Sequence, residues 1–366
     1  MIKNAHYHTP FYFEDIRKDL YMQFFRHFSY RSFLTRAVMG ISALCLFASQ
    51  GLSVSAATIK EEKIARNQAL AIQSNEVANW PTGPVVSAES AILMDADTGA
   101  ILYAKNIHQQ EYPASTTKIL TTLIASERCS MDEIVDFSYD AVHDIDPGSN
   151  HIAIDPGEQL TMEECLNAIL IRSANEVSFA VAEHISGTTW QDFAPIMNER
   201  AKELGCVDSN FVNPNGLPNE DHYTSAYDLA MIGKAFFANE ALCKMTMTHM
   251  LHILPSERQP DDIMEVNKME LIPGGKYAYP YLVGCKTGYT DVARSTLVSC
   301  AEKDGMKLIC VVMRDENPNY YEDTISLFDY GFSNFGKVNI AQTETKYNIE
   351  NPGSFYSGND IFGNSK

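Results

Sequence analysis

Apolar residues fall into three zones along the chain. Ala91-Ile92-Leu93-Met94 and Ile101-Leu102-Tyr103-Ala104 are short apolar runs flanking the turn sequence Asp95-Ala96-Asp97-Thr98-Gly99, a pattern that predicts a β-hairpin. Ser115 to Glu127 reads as a helix. Thr161-Met162-Glu163-Glu164 has the form of a capping box, and Cys165, Ala168, Ile169 and Ile171 follow at helical spacing. Further helices are expected over Asn175–Ile185 and Trp190–Leu204, broken at Ser186-Gly187. From Tyr281 the pattern changes to strands (Tyr281–Thr287, Ser295–Ala301, Lys307–Met313), and residues 320–335 close with a helix. Strands at both ends and helices between them imply an α+β fold. A mostly antiparallel sheet completes its first hairpin with distant strands, and a helical insertion covers about 146–220.

The flanks differ from this. Val38 to Ala48 is an apolar run, preceded by Arg26, Arg31 and Arg36 and followed by Ser53-Val54-Ser55-Ala56. A basic region, a run of about 7–15 apolar residues and a small-residue site describe a secretory signal. Residues 1–56 are therefore expected to be removed, by cleavage after Ala56 or Ala57, and Met22 would be a more conventional start. Ser49, Gln50 and Gly51 cut the run short of the roughly 20 residues that a membrane span needs. Residues 57–86 are polar and mixed and read as a linker; 87–335 are the folded domain; 336–366 are a polar tail without amphipathic pattern.

Charge narrows the function. The chain carries a net −19, and residues 57–366 hold 22 basic against 44 acidic side chains, a surface that repels phosphate backbones and excludes nucleic acid. Seven cysteines follow the signal region at wide spacing with no C-x-x-C pair, which indicates neither a disulfide framework nor a zinc knuckle. His249-x-x-His252 lacks a third ligand, and there is no H-E-x-x-H.

Three short motifs carry chemistry. Ser115-Thr116-Thr117-Lys118 opens a helix, where residues three apart share a face, so the Lys118 amine reaches the Ser115 hydroxyl. A serine nucleophile needs an adjacent base, and a desolvated, neutral lysine can serve. Ser173-Ala174-Asn175 falls between helices. Lys286-Thr287-Gly288 ends an apolar strand, with a charge and a hydroxyl suited to a carboxylate and a glycine that lets a substrate approach the backbone. Singly, the first two are weak. Together, and in this order along the chain, they form the set found in penicillin-binding proteins and serine β-lactamases.

With these residues the chain resembles the low-molecular-mass D-alanyl-D-alanine carboxypeptidases, the S11-type serine peptidases. Ala91–Tyr103, Pro113–Leu120, Pro156–Glu158, Ser173–Glu183, Asn213–Leu217 and Cys285–Thr290 all look like that family, over roughly residues 86–335. The resemblance implies the DD-peptidase/serine β-lactamase-like fold and an exported enzyme acting outside the cytoplasm. Its substrate would be a peptidoglycan stem peptide ending in D-Ala-D-Ala, with β-lactams as covalent inhibitors and no metal or cofactor. It implies Ser115 as nucleophile, Lys118 as base and Ser173 as proton relay to the leaving amine. Asn175 would bind the substrate amide, and Lys286 and Thr287 its carboxylate, beside Gly288. The N–H groups of Ser115 and Tyr289 would form the oxyanion hole.

Departures are Glu176 where the family has Asp, Ala293-Arg294 where it often has Ala-Gly, and Cys285 in place of a small or branched aliphatic residue. The tail after Phe335 is too short for the β-rich domain and amphipathic helix of many members, so no stable membrane anchor is expected. Two alternatives remain. A class A β-lactamase would use a glutamate in E-x-x-L-N, a string that Glu163-Glu164-Cys165-Leu166-Asn167 matches, although it precedes Ser173 and lies in the capping-box helix. A non-catalytic wall- or β-lactam-binding module would have no need of Lys118.

Overall fold

The computed structural model describes residues 58–337; the expected signal region and the tail from residue 338 lie outside them. The described residues up to Lys63 are helical, and the main unit begins at Ile64.

Within that unit five strands form one antiparallel sheet: β1 (Ser90–Asp95), β2 (Ile101–Lys105), β7 (Leu282–Thr290), β8 (Arg294–Lys303) and β9 (Met306–Asp315). Their spatial order is β2-β1-β9-β8-β7, so the first hairpin pairs with the last strand. In that pairing Ile92 lies opposite Val311 and Leu93 opposite Cys310. The remaining strands form two small ribbons, β3 (Ile134–Asp136) with β4 (Gln159–Thr161), and β5 (Met250–Ile253) with β6 (Ile263–Val266).

The sheet is covered on both faces, which explains why its strands read as apolar runs. Successive side chains of a strand point to opposite faces. Ile92, Met94, Ile309, Val311 and Met313 pack with the helices Lys118–Arg128, Asn175–Ser186 and Ala226–Phe237. Leu93, Leu308, Cys310 and Val312 pack with Leu327 and Phe328 of the terminal helix Asn319–Asn334. Burying one such side chain is worth about 1.5–3 kcal/mol.

The helices after Lys118 match the sequence expectation within a few residues, and the capping box at Thr161 has both of its reciprocal hydrogen bonds. Three helices lie outside that expectation: Tyr139–His143, Ala226–Phe237 and Glu240–Met247. The stretch expected as a linker is bound into the fold over residues 64–86. Lys105 Nζ donates to the carbonyls of Asn67, Val86 and Ala88 at 2.9, 2.9 and 2.7 Å, and Trp80 Nε1 donates to Leu102 O at 2.9 Å. These anchors are backbone carbonyls and one indole, so the stretch is held although its composition is that of a tether. The seven described cysteines are all free thiols.

Candidate active site

Ser115 lies in a 3-10 turn, Ala114–Thr117, that runs directly into the helix Lys118–Arg128. Thr116 Oγ1 donates to Pro113 O at 2.7 Å, closing the turn. Ala114 is held at φ +50°, the left-handed region that a non-glycine residue enters only at a cost of about 1–2 kcal/mol. Two glycines hold it there. A Cβ on Gly216, itself at φ +83°, would collide with Ala114 O; one on Gly288 would sit 2.8 Å from Ser115 N and 2.9 Å from Pro113 O. The loop Asn213–Leu217 and strand β7 therefore press on the turn from either side. The missing side chain of Gly288 makes room for the nucleophile's own backbone, a closer constraint than the substrate approach expected from sequence.

Lys118 is fully buried behind the turn. Its Nζ lies 3.1 Å from Ser115 Oγ, 2.7 Å from Asn175 Oδ1 and 2.7 Å from Asn215 O. Burial, reinforced by the positive Lys286 and opposed by Glu176, holds its pKa well below the ordinary lysine value. A neutral amine has two N–H bonds and one lone pair. The amide oxygen of Asn175 and the carbonyl of Asn215 can only accept, so they take both hydrogens. The lone pair is left for the Ser115 hydroxyl.

Ser173 follows a π-helical turn, Ala168–Arg172, and is itself left-handed at φ +63°. Such π turns are frequent at functional sites. The distortion sets Ser173 Oγ 3.1 Å from Lys286 Nζ, which also donates to Thr287 O at 2.9 Å. Lys286 is pushed down to about 8 by burial, so it still carries its charge at neutral pH. Just beyond Ser173, Asn175 N donates to Asn150 O at 2.9 Å, and Arg172 Nη1 donates to Asn150 Oδ1 at 2.6 Å. Glu176 Oε1 accepts from Ile152 N at 2.7 Å; this longer acid thus supports the loop that walls the cleft.

The open cleft measures about 640 Å³. Ser115, Ser173, Asn175, Lys286, Thr287, Gly288 and Tyr289 line it, with Lys118 behind its wall. All eight residues singled out from sequence are thus brought together. The Tyr289 side chain is exposed, its hydroxyl 3.1 Å from Asp291 Oδ1. Arg294 turns aside into a bidentate pair with Glu316, at 2.8 Å, and does not line the cleft. Cys285 is buried in the core with Leu297 and Tyr320. Glu163 and Asn167 lie away from the cleft on the capping-box helix, and Asn167 Nδ2 merely donates to Glu163 O. His252 pairs with Asp262 at 2.6 Å rather than with His249.

Sequence reasoning missed His222. It is buried beneath the nucleophile's turn, with Nδ1 accepting from Val212 N at 3.0 Å, so Nε2 carries the proton and donates to Thr117 Oγ1 at 2.9 Å. Burial pushes it down to about 3, and it stays neutral. A lone histidine carries no spacing signal that would single it out.

The arrangement sets a serine hydroxyl against a buried lysine amine, beside a second, charged lysine within the edge strand of the sheet. The profile of the D-alanyl-D-alanine carboxypeptidase family of peptidases, S11, matches residues 77–317. The chain belongs to this family. It is 38% identical over 251 residues to D-alanyl-D-alanine carboxypeptidase DacF of Bacillus subtilis, covering 68% of this chain and 63% of that one. It is 31% identical over 263 residues to DacB2 of Mycobacterium tuberculosis, covering 69% and 84%. Among solved structures, a D-alanyl-D-alanine carboxypeptidase from Mycobacterium tuberculosis aligns with a TM-score of 0.61 at 28% identity, over 71% of this chain and 97% of that one. The Streptomyces K15 DD-transpeptidase has the same fold, with a TM-score of 0.63 at 24% identity over 69% and 99%.

Proposed function

We propose that this protein is a serine-type D-Ala-D-Ala carboxypeptidase that trims the terminal D-alanine from peptidoglycan stem peptides through an acyl-enzyme on Ser115. Lys118 takes the Ser115 proton as Oγ attacks the carbonyl between the two D-alanines. The backbone N–H groups of Ser115 and Tyr289 receive the developing oxyanion, and preorganised donors of this kind are a large contribution to acyl transfer. Ser173 passes a proton to the departing amine, and free D-alanine leaves. Water then attacks the ester, with Lys118 again accepting a proton, and Ser115 is regenerated. Asn175 holds the substrate amide; Lys286 and Thr287 hold its terminal carboxylate.

The observation that carries this reading is the placement of the buried Lys118 amine, 3.1 Å from Ser115 Oγ, with its other two contacts to oxygens that can only accept. A wall-binding module has no use for it. A glutamate-dependent β-lactamase is disfavoured because Glu163 lies away from the cleft. Cleavage of the signal region 1–56 and action on the outer side of the membrane belong to the same proposal, with 87–335 as the catalytic unit.

Mass spectrometry after incubation with a D-Ala-D-Ala peptide, and separately with penicillin, tests it. D-alanine should be released, and penicillin should add its mass to the peptide containing Ser115. Both should vanish in Ser115→Ala; undiminished D-alanine release by that variant would refute the mechanism.

A further inference from the structure

Three side chains outside this chemistry converge where the two helices that carry it end. Cys129 is the residue that ends the helix Lys118–Arg128, and His184 lies in the last turn of Asn175–Ser186. Glu133 stands just before β3. Their Sγ, carboxylate oxygen and ring nitrogen all lie within 4.8 Å of one another, the one such group among the described residues. None lines the cleft, which lies a helix length away, about 16 Å at 1.5 Å per residue.

We propose that Cys129, Glu133 and His184 bind one Zn²⁺ ion that ties together the C-terminal ends of the two active-site helices. Thiolate, imidazole and carboxylate are the ligand types of zinc sites with three protein ligands, with water in the fourth tetrahedral position. The sulfur and nitrogen donors select zinc over magnesium or calcium, which take oxygen ligands.

The carboxylate is already oriented. Glu133 Oε1 accepts from Ser130 N at 2.6 Å, which leaves Oε2, 2.9 Å from His184 Nε2. Bond lengths near 2.0–2.3 Å make a tetrahedral edge of roughly 3.3–3.7 Å, so the ion opens this contact by only a few tenths of an ångström. His184 binds through Nε2 with its proton on Nδ1, and the Cys129 thiol gives its proton to solvent. The two negative ligands then neutralise the dication. Both helices end near this place, and the C-terminal end of a helix favours a cation. His184 is about a quarter exposed and Glu133 about two fifths, so the ion has a path in from solvent.

Titration of the purified, reduced protein with Zn²⁺ against a chromophoric chelator tests the site. One equivalent should bind with a Kd below about 10 µM, and Mg²⁺ and Ca²⁺ should not compete. Cys129→Ser and His184→Gln should each weaken binding by at least roughly 10-fold, the usual consequence of disturbing a metal site. At Zn²⁺ about 100-fold above Kd the melting midpoint should rise by roughly 5–10 °C in the wild type alone. Penicillin labelling of Ser115 in both variants certifies that they are folded. A weaker wild-type Kd, or binding in either labelled variant within 10-fold of wild type, overturns the proposal.

Discussion

In the proposed mechanism the two cleft lysines must hold opposite protonation states at once, and this fixes the shape of the pH profile. Lys118 works only when neutral; Lys286 holds a carboxylate only when charged. The active window therefore opens as Lys118 loses its proton and closes as Lys286 loses its own, near pH 8. Above that point kcat/KM, which reports the free enzyme's groups, should fall tenfold per pH unit, leaving about 1% of the plateau at pH 10. Lys286→Arg removes this limb, because a guanidinium stays protonated and still pairs with a carboxylate. The larger head has to fit a site only 3% exposed, so a lower plateau and a raised KM are expected, by overpacking of about 1–3 kcal/mol. At pH 10 the variant should nevertheless retain its own plateau rate. The assay is the second-order rate of penicillin acylation from pH 5 to 10.5, with D-alanine release as a second readout. An alkaline limb that persists near pH 8 in Lys286→Arg would show that another group titrates there, and the division of labour between the lysines would be wrong.

Lys118→Arg should nearly abolish acylation over the whole pH range, since a general base contributes on the order of 10²–10⁴-fold and arginine cannot supply one; stopped-flow labelling with a chromogenic β-lactam measures it. Gly288→Ala places a methyl 2.8 Å from Ser115 N, so it should shift the nucleophile and lower kcat/KM by about 10²-fold, with KM changed less. Glu111 is buried, pushed up to about 7 by desolvation, and keeps a hydrogen bond from Ser90 Oγ at 2.6 Å. Its folded state binds more protons than the unfolded chain between pH 4.5 and 7, so its contribution is fully present below 4.5 and is lost as pH rises through about 7. Glu111→Gln should therefore stabilise the protein at pH 8, by at most about 3 kcal/mol, and leave it unchanged or weaker at pH 4, as read by urea denaturation at both pH values.

Side-chain chemistry is legible in the sequence, and backbone chemistry is not. Ser115, Lys118, Ser173, Asn175 and Lys286 stand out because acyl transfer needs those functional groups in a recognisable order. The carbonyl of Asn215, which orients Lys118 as firmly as Asn175 does, is invisible because every residue has one. The strands of the main sheet announce themselves by being apolar on both faces. The ribbon of β5 and β6 does not, because Met250, Met264 and Val266 face solvent and spoil the alternation that would reveal it. The stretch 64–86 looks like a tether because its anchors are backbone carbonyls gripped by Lys105 and the Trp80 side chain, neither of which leaves a periodic trace. Gly288 is visible as part of its motif, but which atoms crowd it depends on how β7 crosses the Ser115 turn, a relation between segments far apart in sequence.

The pairing of β1 with β9 also dictates an order of assembly. Ser90, in the first strand of the domain, faces Met313 in the last, and the backbone of Ser87 and Ala88 is held by Asp323 at 2.6 and 2.9 Å. A chain that has emerged only as far as β8 has no central strand, so its hairpin and its later strands cannot join. Contacts this distant in sequence slow folding, because a large loop must close before they yield any stabilisation. The polypeptide therefore stays open until almost the whole domain has been made, the state that the export proposed above would require. The Ser115 turn, clamped by Gly216 and Gly288, takes its final form only after that closure.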